Sequence, residues 1–217
     1  MKNNILLKIS IIFISGFLIF SNLYSEEIKI DSSELNIIDG GKILEGKNGF
    51  KSYSDTGLEI TGNEFKYNKV KNTLVAEGNV LIIDEKKNLT IENNKIKYFK
   101  NEDKIFLKDI TYIIIEKEYF ITSYDVVYDK KNNLIFSNEA TELKDINQNK
   151  INLSKFKFNT KDKIFSGHKV KLIDNKYNEY LFNEFKLDVI KKEFAGKDLS
   201  YEMKSVNSEK PRIKGLS

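Results

Sequence analysis

Apolar and polar residues alternate along this chain in short runs, and between Phe65 and Leu199 the runs return at a fixed interval. The stretch FKYNKVKNTLVAEGNV (65–80) is echoed by IKYFKNEDKIFLKDI (96–110), VVYDKKNNLIFSNEA (126–140), FKFNTKDKIFSGHKV (156–170) and FKLDVIKKEFAGKDL (185–199). The leading apolar position falls at Phe65, Ile96, Val126, Phe156 and Phe185, in steps of 31, 30, 30 and 29. Two residues further on stand Tyr67, Tyr98, Tyr128, Phe158 and Leu187. The second half of each copy reaches Val80, Ile110, Ala140, Val170 and Leu199. A period of two puts alternate side chains on one face of a strand. The Asn- and Asp-rich stretches 68–72, 100–103, 129–133 and 159–162 supply tight turns between the halves. Each copy therefore predicts two short antiparallel strands. Residues 28–60 read as further short strands, and no segment past residue 25 sustains a helical period.

A unit of this size cannot bury its apolar stripe alone, so neighbouring units must stack. The expected architecture is all-β: a long, curled, two-walled antiparallel sheet built from two-strand repeats of ~30 residues, with one apolar interior along its length. Such an interior is either an ordinary core or a groove for a long apolar ligand. Gly78, Gly167 and Gly196 recur at one repeat position, where glycine suits a bend, a bulge or a positive φ.

The first 25 residues stand apart. Lys2 and Lys8 flank or interrupt an apolar run over 5–20, then SNLYS leads to Glu26 and Glu27. A charged start, an apolar middle and a small-residue end predict a secretory signal peptide over 1–25. The run falls short of the ~20 residues of a spanning helix, and Lys8, Ser10 and Ser15 dilute it. The expected location is the periplasm. The net charge of +4 includes Lys2 and Lys8, so the exported part is nearly neutral and lacks the basic character of a nucleic-acid binder. There is no cysteine, which removes disulfides, thiolate metal sites and cysteine nucleophiles.

Candidate chemistry is sparse. The single histidine, His168, stands where the other copies carry Lys108, Asn138 and Lys197, and so is expected on the surface. Glu26–Glu27, Asp84–Glu85 and Glu102–Asp103 are adjacent pairs, not a spaced acid–base couple. No nucleotide, calcium or zinc motif is present. No enzyme activity, metal or cofactor is expected.

The residues do resemble a known family. The form F-x-Y-(turn)-L-x-A-x-G-N-V-x-I, best kept over 65–82 with Ala76-Glu77-Gly78-Asn79-Val80 as its signature, resembles the lipopolysaccharide-transport β-jellyroll, or OstA-like domain. Later copies drift, since Leu107-Lys108-Asp109 and Ser137-Asn138-Glu139 lack the glycine. The jellyroll would span 26–200. The tail SEKPRIKGLS (208–217) is similar to the segment joining the jellyroll to the barrel in the outer-membrane lipopolysaccharide-assembly member, so 201–217 would be a linker towards a barrel that this chain lacks. The resemblance implies a non-enzymatic lipopolysaccharide carrier, with the acyl chains of lipid A inside the jellyroll. It also implies partners: a periplasmic bridge jellyroll joined by edge-strand pairing, and an outer-membrane barrel in cis with its plug lipoprotein. The groove lining expected from the repeat is Phe65, Tyr67, Val80, Ile82, Ile96, Tyr98, Ile110, Tyr112, Val126, Tyr128, Phe156, Phe158, Val170, Leu172, Phe185 and Leu187. Two other readings stay open: a free-standing periplasmic bridge protein of the same fold, and a β-solenoid surface protein.

Overall fold

A computed structural model describes residues 28–54, 57–202 and 212–214, so the expected signal peptide and most of the expected linker lie outside the described residues. Seventeen strands follow one another: β1 (Lys29–Ile38), β2 (Ile43–Tyr53), β3 (Leu58–Gly62), β4 (Glu64–Asn68), β5 (Thr73–Asp84), β6 (Leu89–Phe99), β7 (Lys104–Ile115), β8 (Tyr119–Asp129), β9 (Leu134–Ser137), β10 (Thr141–Asp145), β11 (Lys150–Leu153), β12 (Lys155–Asn159), β13 (Ile164–Ile173), β14 (Glu179–Asp188), β15 (Glu193–Lys197), β16 (Ser200–Glu202) and β17 (Arg212–Lys214). All pairings are antiparallel, and among the described residues there is no α-helix. β17, in the expected linker, pairs with β16.

The long strands build two walls because each bends in its middle. In β5 the pairing with β6 skips between Glu77 and Val80, in β6 that with β7 skips between Glu92 and Lys95, and in β7 that with β8 skips between Leu107 and Ile110. Asn79, Asp109 and Asp125 take positive φ at these bulges, as Lys169 does in β13. A bulge sharpens the local bend and twist. The first half of β5 pairs with β4 and the second half with β3. In the same way β8 pairs with β9 and β10, β13 with β12 and β11, and β14 with β15 and β16. The first wall thus holds β4, β9, β12, β15 and one half of each long strand. The second holds β3, β10, β11, β16 and the other halves. The buried faces of both walls form one apolar core. The molecule is an elongated antiparallel β-jellyroll.

Each wall carries an inward ladder of residues in cross-strand register. On the first, Leu74, Tyr98, Ile105, Tyr128, Ile135, Phe158, Phe165 and Leu187 stand side by side, ending at Phe194. On the second, Ile60, Ile82, Ile91, Ile113, Ile121, Leu143, Ile151 and Leu172 do the same, ending at Tyr180 and Tyr201. Cross-strand neighbours of this kind are the unit of sheet stabilisation.

The turns stack with the same period. Asn72, Asp103, Asn133, Lys163 and Lys192, spaced like the repeat, close the first-wall turns in the left-handed region. Each turn donates a backbone hydrogen bond to the preceding one: Lys100 N–H to the Asn72 carbonyl at 3.0 Å, Lys130 to Asp103 at 2.9 Å, Thr160 to Asn133 at 2.8 Å and Val189 to Lys163 at 3.1 Å.

Candidate functional site: the cavity between the walls

Fourteen of the sixteen residues expected to line the groove sit in the core: Phe65, Tyr67, Val80, Ile82, Ile96, Tyr98, Val126, Tyr128, Phe156, Phe158, Val170, Leu172, Phe185 and Leu187. Ile110 and Tyr112 do not. They are 37% and 47% exposed on the outer face. The buried positions of β7 alternate unbroken through the bulge at Asp109 as Ile105, Leu107, Thr111, Ile113 and Ile115, so Thr111 and Ile113 hold the places that Val80 and Ile82 hold in β5, and the repeat step to Ile110 falls one residue short. A one-residue slip turns every later side chain to the other face. Ala140 and Leu199 are exposed for the same kind of reason, with Thr141 buried in place of Ala140.

The glycine reading also divides. Gly78 has φ +77 within the bulge of β5. Gly167 and Gly196 lack positive φ and are needed for space: a Cβ would lie 2.6 Å from Leu153 Cδ1 at Gly167, and 2.1 Å from Phe182 Cδ1 at Gly196.

A column of small polar residues lines the inner corner, where period-two reasoning expects apolar ones. Asn93 donates through Nδ2 to the carbonyls of Lys108 and Ile110 at 2.9 and 3.0 Å and to Thr111 Oγ1 at 2.9 Å, while its Oδ1 accepts from Lys95 N–H. Ser123 and Thr141 share a hydrogen bond of 2.8 Å, and Ser137 Oγ donates to the Tyr124 carbonyl. These side chains satisfy backbone groups that the bulges unpair, which a buried corner requires.

Opposite the corner, polar links close the rim between the walls. The Tyr128 hydroxyl donates to Asp84 Oδ2 at 2.7 Å, and Lys87 lies over the Tyr128 ring. Burial and the Asp84 carboxylate push the Tyr128 phenol far above its ordinary range, and burial pulls the Lys87 ammonium down despite Asp84. Lys163 Nζ meets Glu116 Oε1 at 2.5 Å and donates to the Lys87 carbonyl at 2.7 Å. Lys192 pairs with Glu118 at 2.7 Å, and the Tyr119 hydroxyl donates to the Val189 carbonyl at 3.4 Å. Along this stretch the interior is sealed: Leu74, Ile91, Ile105, Tyr128, Ile135 and Phe165 are fully buried.

The interior opens past the last of these links. A cavity of about 320 Å³ lies between the walls near their C-terminal end. Tyr119, Leu143, Ile151, Leu172 and Tyr180 line it from the second wall, and Phe185, Leu187 and Phe194 from the first. Of the expected lining only Leu172, Phe185 and Leu187 reach it. Its rim is polar, with the Glu118–Lys192 pair on one side and two matching loops on the other. In these loops Asp145 Oδ1 accepts from the N–H of Asn147 and Asn149, and Asp174 Oδ1 from those of Lys176 and Asn178. Tyr180 donates to Asp174 Oδ2 at 3.3 Å. Burial, helped by Tyr201 and Asp174, pushes its phenol up to about 12. Burial also raises the Tyr119 phenol. Both hydroxyls therefore stay protonated donors over the apolar space. Tyr119, Leu143, Ile151, Tyr180 and Phe194 fall outside the aligned repeat positions. Their common sequence signal is the apolar ladder counted strand by strand.

His168 lies exposed on the outer face of β13, with Lys155 and Glu184 as cross-strand neighbours. Among the described residues no three His, Asp or Glu side chains gather as metal ligands would.

Fold and cavity define the class: an antiparallel two-walled jellyroll with an apolar interior opening at one end. No family model and no curated protein matches the chain. Among solved structures it is similar to the crystal structure of LptH from Pseudomonas aeruginosa, the LptA-homologous periplasmic component of a lipopolysaccharide transport device. The two are 10% identical, the match covers 66% of this chain and 82% of that one, and the TM-score is 0.28.

Proposed function

We propose that this chain is a non-enzymatic carrier of lipopolysaccharide in the periplasm, holding acyl chain between its walls. The observation that carries this reading is the cavity of about 320 Å³ at the end of two apolar ladders, with a polar rim to meet a head group. Sites for small ligands begin near ~300 Å³ and are mostly apolar with a few placed polar groups. Each methylene moved from water into such a space gains about 0.8 kcal/mol. The cavity takes one acyl segment as it stands, so a many-chained lipid enters further only as the walls part along the rim closed by Glu116, Glu118, Lys163 and Lys192.

In its fuller form the reading places the chain next to the outer membrane. The edges at β1 and β15, unpaired among the described residues, accept a bridge jellyroll by strand pairing, and in a full protein that carries the barrel in cis, lipid passes on to that barrel and its plug lipoprotein. The edge ladders support this: Ile37 and Phe194, at opposite ends of the first wall, are 67% and 52% exposed.

The test is in-cell photocrosslinking with a photoreactive phenylalanine at Tyr180, Phe194 or Leu172, and at Lys66 and Lys97 as outward controls. Lipopolysaccharide adducts are expected at the first three positions only. A folded, exported protein that gives none there sinks the carrier reading and leaves a closed structural module.

A further inference from the structure

A second concavity lies on the outside of the first wall, on the opposite face of the sheet from the cavity. We propose that it binds a phosphate-bearing ligand. The trench encloses about 580 Å³ and runs from Phe136 on β9 to β15. Two rows in cross-strand register shape it: Lys157, Ser166, Lys186 and Ala195, and beside them Lys155, His168, Glu184 and Lys197. Ser166 and Ala195 keep the floor low, where the same row carries Phe106, Val127 and Phe136 across β7 to β9. The lysines form a rim around this depression, and Phe136 closes one end.

Three other outward lysines meet acids: Lys66 meets Glu45 at 2.6 Å, Lys95 meets Glu77 at 2.7 Å and Lys171 meets Glu179 at 2.9 Å. In the trench Glu184 is taken by Lys197 at 2.9 Å, while Lys155, Lys157 and Lys186 have no ion pair among the described residues. Lys169, Ser154 and Asn183 extend the concavity over the bulge of β13. Ammonium groups gathered on one depression repel one another, and an anion between them removes that cost. Lysine binds phosphate as a point charge, and a doubly charged phosphate relieves the repulsion among several ammonium groups more than a single carboxylate does. The apolar floor at Phe136 and Ala195 suits a sugar or acyl group attached to the phosphate. The trench opens on the other face of the wall, which at Phe185 borders both spaces, and Lys155, Lys157 and Lys186 do not reach the cavity, so the site holds or fails independently of the carrier reading.

The test uses the full chain and two probes. Inorganic pyrophosphate is titrated while backbone amide shifts are followed, and vesicles of phosphatidylglycerol are compared with phosphatidylcholine by co-sedimentation. Two charge-matched variants are compared, K155Q/K157Q/K186Q in the trench and K51Q/K66Q/K95Q outside it. Amide spectra verify the fold, and K157Q and K186Q alone give graded loss if the triple variant does not fold. Exposed pairs contribute ~0.5 kcal/mol each, so the trench variant loses roughly tenfold in affinity and the control less than about twofold. Shifts on β12 to β15 with pyrophosphate mean that free phosphate suffices. Binding to phosphatidylglycerol vesicles alone assigns a lipid head group. Equal loss in both variants, or no saturable binding of either probe, overturns the site.

Discussion

At the scale of single residues, small atoms decide large effects. Gly167 faces Leu153 and the Lys155 carbonyl, the latter 3.2 Å from where a Cβ would lie. Gly167→Ala is expected to lower stability by about 1–3 kcal/mol, the usual cost of overpacking, seen as a fall in the thermal midpoint. An unchanged midpoint would mean that the wall yields freely here. Tyr128→Phe removes the donor to Asp84, a carboxylate only 4% exposed. Leaving that acceptor unpartnered costs about 1–3 kcal/mol. Urea unfolding of the variant checks this, and the paired variant with Asp84→Asn should recover part of the loss.

At the scale of elements, the strands, the turns and the bulge at Gly78 are legible in the sequence, and the bulges without glycine are not. Alternation at Phe65, Tyr67, Ile96 and Tyr98 reads directly as an inward face because each pair sits in a run that no bulge interrupts. In the second halves the phase differs by one residue, since Ile82 answers to Ile113, and Ile110 and Tyr112 share the outward parity that Phe106 already sets in β7. The buried corner residues Asn93, Thr111 and Ser123 resemble outer-face residues in type, and only the backbone groups they satisfy explain their burial. The links across the rim were equally hidden, since Glu116 and Lys163 lie far apart in the chain. Their side chains are 17% exposed, against 33% and 55% for Glu118 and Lys192. Double-mutant cycles should therefore give a larger coupling for Glu116–Lys163, about 1 kcal/mol or more, than for Glu118–Lys192, within the ~0.2–1 kcal/mol of exposed pairs. The reverse order would show that the rim is held elsewhere.

Acid should loosen the same elements. Hydrogen bonds from Lys144 and Lys150 hold the Glu142 carboxyl below its ordinary value. Burial pushes Asp129 and Asp174 upward, but hydrogen bonds from Asn132 and Lys104, and from Asn178 and Lys176, outweigh it and hold both low. These groups bind protons in the unfolded chain first, so their contribution is complete above about pH 4 to 4.5 and is lost as pH falls through the folded values. Thermal midpoints measured from pH 6 down to about pH 2.5 should drop in that window, and less so for Glu142→Gln.

At the scale of the whole molecule, the first wall's ladder ends, among the described residues, at two open strand edges. Ile37 at one edge and Phe194 at the other leave apolar rungs exposed beside strand edges that have no partner among the described residues, the setting in which sheets join. Sedimentation should reveal association that grows with concentration. Ile37→Lys or Phe194→Lys should abolish it with little change in the melting midpoint. A monomer at every concentration would assign these edges no such role.

The stacked turns have a consequence for how such a molecule changes length. Because each turn bonds to its predecessor one period earlier, the chain behaves as a ruler marked every thirty residues. A copy can be excised or duplicated without disturbing the marks on either side, as in other arrays whose stability is a sum over neighbours. Removing 100–129 would join β6 directly to the turn before β9. The molecule would be shorter by two strand spacings, about 9.6 Å, with Tyr98 brought where Tyr128 now stands. Such a chain should fold cooperatively with a smaller urea dependence, whereas a cut of half a period should not fold. Reach, in a protein of this design, is a quantity that evolution can adjust in whole steps.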